Sequence, residues 1–161
     1  MKIIGLQLDS VWENKAASHG RVLSLLDKAK PPAGALVVLP EMFATGFSMN
    51  VAAIHDESRE TQDFLSRAAA ERGVYLMGGV VMKDAATGRG RNEAVVYSPE
   101  GMEVARYCKL QPFTLGGESE HTWLASRCVS LSVGNSRWRH SSATTCDSPN
   151  SFAGRPRKAQ T

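Results

Sequence analysis

Cysteine is scarce in this sequence. The three residues Cys108, Cys128 and Cys146 are unevenly spaced and include no Cys-x-x-Cys pair. That argues against a disulfide scaffold and against a zinc site, and it fits a reducing, cytoplasmic compartment. No apolar run approaches the length needed to span a membrane, so no membrane partner is expected. The opening stretch Met1 to Asp9 is interrupted by Gln7 and Asp9 and makes a poor signal peptide. No internal repeat is visible. From Ser136 to Thr161 there is no Leu, Ile, Val or Met, and five basic residues face the single acid Asp147, a net +4. Because the whole chain is +3, residues 1–135 sum to −1. A segment so poor in apolar side chains cannot offset the entropy of ordering itself, so disorder is expected from 136 to 161. Its aromatics are only Trp138 and Phe152. Nucleic-acid recognition wants aromatic side chains interleaved with the cations, so no nucleic-acid partner is expected.

The remainder has the composition of a globular domain, 42% hydrophobic and 22% charged over 161 residues. Ile3–Leu8 reads as a first strand. Glu13–Lys30 reads as a helix with Val22, Leu23, Leu25, Leu26 and Ala29 toward the core, stopped by Pro31-Pro32-Ala33-Gly34. Leu36–Leu39 is a short β-branched run that reads as a strand buried on both faces. Ser58–Arg72 reads as a second helix, capped by Ser58 and ended by Gly73. Val74–Val81 is a third strand. Asn92–Tyr97 and Met102–Tyr107 form a hairpin across Ser98-Pro99-Glu100-Gly101. The order β-α-β-α-β-β predicts an α/β fold with an antiparallel end and both helices on one face of the sheet.

Two polar residues follow strands where α/β folds tend to place their chemistry. Pro40 ends the Leu36 strand, and Glu41 then sits at its C-terminal edge as a partly desolvated carboxylate suited to general-base work. Lys109 follows the last strand directly, where its ammonium would stabilise charge developing on a substrate oxygen. Glu118, in the glycine-rich loop beyond, would orient Lys109 or a substrate. The plainer alternatives are a loop glutamate capping a turn, a lysine snorkelling from a strand end and a solvated acidic loop. Cys108 alternates to the other side of its strand from Lys109, and Cys128 reads as a small buried hydrophobe.

Leu39-Pro40-Glu41-Met42-Phe43, Gly46-Phe47 and Tyr107-Cys108-Lys109, separated by an α/β run, resemble the nitrilase (carbon–nitrogen hydrolase) superfamily, and the form of the first motif is similar to its ω-amidase-like branch. The resemblance covers residues 1–135. It implies an α-β-β-α sandwich, a homo-oligomer, a small amide as substrate and neither metal nor organic cofactor. It also implies a Cys-Glu-Lys triad, with Glu41 as general base, Lys109 stabilising the tetrahedral intermediate and Glu118 supporting it.

The nucleophile of that triad is expected in a C-Y-D-L-R-F-P motif a little over thirty residues after the lysine, and no such motif is in frame. Cys146 is the only cysteine there. No apolar strand precedes it and no activating neighbourhood surrounds it, so it is a weak candidate. Back-translating Trp138 to Thr161 with allowed codons and reading two bases on yields a peptide that contains C-Y-D-L-R-F-P. Its cysteine codon straddles Ser142 and Ala143. The expectation is therefore a partial carbon–nitrogen hydrolase domain at 1–135 and a non-native basic tail at 136–161 left by a frameshift, in a truncated and inactive chain. The alternative is a non-catalytic folded remnant, or a polyanion-binding module acting through its tail.

Overall fold

The computed structural model describes residues 1–109 together with strand residues 132–133 and 136–137. Five strands form one mixed sheet: β1 (Ile3–Gly5), β2 (Leu36–Val38), β3 (Tyr75–Lys83), β4 (Gly90–Tyr97) and β5 (Glu103–Cys108), in spatial order β1-β2-β3-β4-β5. The β1–β2 and β2–β3 pairs are parallel, with Ile3 opposite Leu36 and Val37 opposite Leu76. The β3–β4 and β4–β5 pairs are antiparallel, so the sequence-predicted α/β fold with an antiparallel end is the one formed. Residues 1–5 run less far as a strand than the apolar pattern suggests: only the Leu6 N–H, bonding the Val38 carbonyl at 2.9 Å, continues the ladder.

The helices are α1 (Lys15–Ala29), the single-turn α2 (Val51–Ile54) and α3 (Glu60–Arg72). Helix α1 begins after Asn14, whose side chain accepts the Ala17 N–H at 3.0 Å. It ends at Lys30, held left-handed with φ 44° ahead of the two prolines. Its buried face is Ser18, His19, Val22 and Leu26; Ala29, expected in the core, is exposed. Helix α3 ends at Gly73 as expected, in the left-handed conformation that glycine adopts without steric cost.

Its start differs from expectation. Ser58 does not cap it, and the residue at the N-cap position, Arg59, makes no side-chain cap. The orphan N–H groups of Thr61 and Gln62 instead donate to the Asp56 carboxylate at 2.9 and 3.0 Å. A carboxylate accepts two such donors at once, with full charge, where a hydroxyl accepts less strongly. Burial works to raise the Asp56 carboxyl. The donors from Thr61 and Gln62 and the charge of Lys15, 3.3 Å away, overcome it and hold the group below the ordinary aspartate value.

Both long helices cover the same face of the sheet, as the periodicity predicts. Val22 and Leu26 of α1 and Phe64, Leu65, Ala68 and Ala69 of α3 pack with Val37, Leu76, Val95 and Tyr97 in one core. A buried polar chain stitches that side: Gln62 accepts from Arg106 at 2.7 Å, and Arg106 in turn pairs with Glu93 at 2.5 Å. The opposite face carries Leu36, Tyr75 and Met77, only half-buried, against Val96 and Ala105. Strand β2 is therefore not buried on both faces as expected; among the described residues only the helical side is covered. One helix layer and one sheet amount to the α-β half of a sandwich. The short strands β6 (Ser132–Val133) and β7 (Ser136–Arg137) pair antiparallel, so the first two residues of the basic tail take part in a ladder. The rest of the tail lies outside the described residues.

Candidate active site

Leu39 continues β2 by one bond, its N–H reaching the Met77 carbonyl at 2.9 Å. Pro40 has no N–H with which to go on, and the chain turns. The turn is closed by the Thr45 and Gly46 N–H groups, which both bond the Met42 carbonyl at 3.1 and 3.0 Å. Glu13, just before α1, braces it from outside: its N–H bonds the Thr45 carbonyl at 2.9 Å, and its carboxylate accepts the Ser48 hydroxyl at 2.5 Å. Glu41 opens this turn. Lys109 follows β5, with its backbone N–H on the Asn92 carbonyl at 2.8 Å. Two strands stand between β2 and β5 in the sheet, yet Lys109 Nζ lies 2.8 Å from Glu41 Oε1.

The same carboxylate oxygen accepts a second bond, 2.6 Å from Asn92 Nδ2. Lys109 also stands over the ring of Phe47, 5.3 Å from its centroid, a cation–π contact from the loop after the turn. Around the group opens a cavity of about 330 Å³ on the uncovered side of the sheet, with Leu39, Met77, Ala94 and Tyr107 on its apolar walls and Glu41 and Lys109 at its polar end. The Glu41 side chain is 48% exposed, against 26% for Lys109, so solvent is withdrawn from only part of it. The turn stands at the rim of an open sheet face, so nothing described closes over it.

Cys108 is placed as strand alternation requires. It faces Glu93 across the ladder while its neighbour Tyr107 faces Ala94 in the cavity. Burial pushes its thiol up, and the Glu93 carboxylate adds to the effect, so the residue is held in the unreactive thiol form. Glu118, Cys128, Ser142, Ala143 and Cys146 lie outside the described residues. No cluster of three His, Cys, Asp or Glu among the described residues could hold a metal ion. Nor is any helix among them long and apolar enough to cross a membrane.

Sequence reasoning missed two residues of the site. Asn92 is one; an asparagine inside a strand is against propensity and was the available signal. Gly79 is the other. A Cβ on it would lie 2.5 Å from the Met42 nitrogen, so the turn carrying Glu41 can approach β3 only over a glycine.

The Carbon-nitrogen hydrolase family profile matches residues 5–139, most of the chain. The chain belongs to the carbon–nitrogen hydrolase family. Within it, the chain is 28% identical over 132 residues to omega-amidase NIT2 of Homo sapiens, a match spanning 81% of this chain and 46% of that one. It is 33% identical over 121 residues to omega-amidase YafV of Yersinia enterocolitica, spanning 75% and 45%. Among solved structures it is similar to Saccharomyces cerevisiae Nit3, a member of branch 10 of the nitrilase superfamily, with a TM-score of 0.70 at 22% identity over 81% of this chain and 51% of that chain. A CN-hydrolase superfamily protein from Xanthomonas campestris gives a TM-score of 0.69 at 24% identity, over 80% and 48%. At such identities these structures speak to the fold alone. This carbon–nitrogen hydrolase chain spans about half the length of the curated relatives it matches.

Proposed function

We propose that this chain carries the glutamate and lysine of a small-amide hydrolase of the ω-amidase kind. The observation that carries the reading is the 2.8 Å contact between Lys109 Nζ and Glu41 Oε1 at the polar end of the cavity, in a chain of the carbon–nitrogen hydrolase family. A base and a cation that meet at one point can serve one reacting carbon.

In this reading a cysteine thiol gives its proton to Glu41 and attacks the amide carbon. The carbonyl oxygen takes up the negative charge beside the Lys109 ammonium. Glu41 returns the proton to the leaving nitrogen, and ammonia departs from a thioester. Glu41 then takes a proton from water, the hydroxide adds to the thioester carbon, and the carboxylic acid leaves as the thiol is restored. Glu118 is proposed as the residue that supports Lys109. A homo-oligomer in the cytoplasm belongs to the same proposal.

The C-Y-D-L-R-F-P segment expected to carry that thiol is not in frame in this chain. Glu41 and Lys109 position and polarise, but covalent catalysis needs a nucleophile. In this proposal the 161-residue chain is truncated by a frameshift and inactive, and residues 136–161 are a non-native tail. The experiment is ammonia release from a panel of small amides, including ω-amides of short dicarboxylic acids, by two chains. One is the chain as it stands. The other has its frame restored after about Asn135 and the missing C-terminal half supplied. Turnover by the second alone is expected. Turnover by neither sinks the hydrolase reading, and turnover by the first that vanishes in Cys146→Ala sinks the frameshift reading.

A further inference from the structure

The two oxygens of the Glu41 carboxylate are held differently. Oε1 accepts from Lys109 Nζ at 2.8 Å and from Asn92 Nδ2 at 2.6 Å. Oε2 has no bonding partner among the described residues, and the side chain stays 48% exposed. A glutamate carboxylate turns easily about its last torsion, because that well is broad and two-fold. Two charge-assisted bonds on one oxygen remove that freedom.

Asn92 is built into the sheet to do this. It lies on β4 opposite Val81, with 6% of its surface exposed. Its chain neighbour Glu93 turns the other way, toward Arg91 and Arg106. The Asn92 backbone carbonyl holds the Lys109 N–H at 2.8 Å while its side chain holds Glu41. One residue thus fixes both partners of the ion pair, one through its main chain and the other through its amide. An oxygen that already accepts two N–H bonds has little lone-pair density left for a proton. The open oxygen is the better acceptor, on a side chain that lines the cavity.

We infer that Asn92 is a positioning residue: with Lys109 it pins Oε1 of Glu41, leaving Oε2 as the oxygen through which Glu41 takes and returns a proton. The inference rests on the hydrolase reading. In each half of that reaction Oε2 accepts one proton, from the thiol or from water, and releases it to the leaving nitrogen or sulfur. Oε1 keeps its two N–H bonds throughout, and Glu41 ends as it began.

The test has two arms. The first uses the 161-residue chain and needs no activity. In proton–nitrogen NMR one Asn92 side-chain amide proton is expected downfield of the ordinary asparagine range, assigned by its loss in Asn92→Ser. In Glu41→Ala it should return to that range. An Asn92 amide that is ordinary in the unaltered chain, or unmoved by Glu41→Ala, overturns the inference. The second arm uses whichever chain releases ammonia. Asn92→Ala is expected to lower kcat on the order of a hundred-fold, the scale of a misaimed catalytic group, with KM within about two-fold. A raised KM at unchanged kcat would mean that Asn92 binds substrate instead of aiming Glu41, and would overturn the inference while leaving the hydrolase reading intact. Ammonia from no chain removes that reading, and the proton route with it, whereas the first arm still decides whether Asn92 pins Glu41.

Discussion

Gly79 lies directly beneath the backbone of Met42: a Cβ on the glycine would sit 2.5 Å from the Met42 nitrogen and 3.1 Å from the Glu41 Cα. Its neighbour Gly78 does the same service on the helical face, where a Cβ would stand 2.8 Å from the Phe43 ring and 3.0 Å from a Leu65 methyl. The turn therefore straddles β3, with Phe43 sunk in the main core and Met42 in a smaller cluster with Ile54 and Val81. The position of Glu41 depends on two glycines in another strand.

Gly79→Ala should push the turn off the strand. Backbone atoms, unlike a flexible side-chain end, cannot give way cheaply, so the cost expected is about 1–3 kcal/mol, that of an overpacked site. Urea denaturation measures it as a lower midpoint at unchanged slope. The backbone amide signals of Glu41 and Met42 should move by more than those of α1.

His19 sets a pH limit on stability. It is 8% exposed, stacked on Phe64 with ring centroids 4.1 Å apart, and its Nε2 has no hydrogen-bond partner among the described residues. Burial, opposed in part by the Asp56 charge, lowers its pKa from 6.5 to about 4. Between those values the unfolded chain binds the proton and the folded one does not, so stability should rise with pH across that window and be lost as pH falls through it. The loss should reach about 3 kcal/mol at the acid end, at roughly 1.4 kcal/mol per pH unit. Thermal unfolding from pH 7 to pH 4 tests this, and His19→Phe should flatten the profile.

Glu93 is 4% exposed and pairs with both Arg91, at 2.9 Å, and Arg106, at 2.5 Å. Glu93→Ala would take the buried anion from Arg91 and Arg106 beneath the helical layer and leave them only Asp84, at 3.7 Å, and Glu103, at 2.7 Å. A loss of about 1–3 kcal/mol is expected, that of charged hydrogen bonds removed from groups that keep a second partner and some solvent. Chemical denaturation measures it, and Glu93→Gln should recover part by keeping the acceptor oxygen.

Lys109→Met should sharply lower turnover in any chain that hydrolyses amide. Losing one donor to a developing oxyanion costs about 10²–10³ in kcat in a protease, and here Glu41 would also lose one of its two anchors. Steady-state ammonia release reads the effect. Far-ultraviolet circular dichroism should stay unchanged, since Lys109 lies just past the end of β5.

Local chemistry was enough to write the order of the five sheet strands and the two long helices, though not α2, β6 or β7, and with it the end of α3 at Gly73, both long helices on one face and the two polar residues after β2 and β5. Those features depend on the spacing of apolar side chains and on Pro40, Gly73 and Gly101, each acting within a few residues of itself. Short sequence motifs were likewise enough to point to the carbon–nitrogen hydrolase family. The sequence left open what depends on strands meeting. Asp56 rather than Ser58 caps α3, because the loop from α2 carries a buried carboxylate to the helix start. Asn92 and Gly79 belong to the site because the β3–β4 register sets one beside Glu41 and the other beneath Met42. Glu41 stays half in solvent because its turn stands at the rim of the sheet, away from the side covered by the two long helices. Each of these is a distance between residues far apart in the chain, and such distances are set by the packing of the whole sheet, which no local pattern encodes.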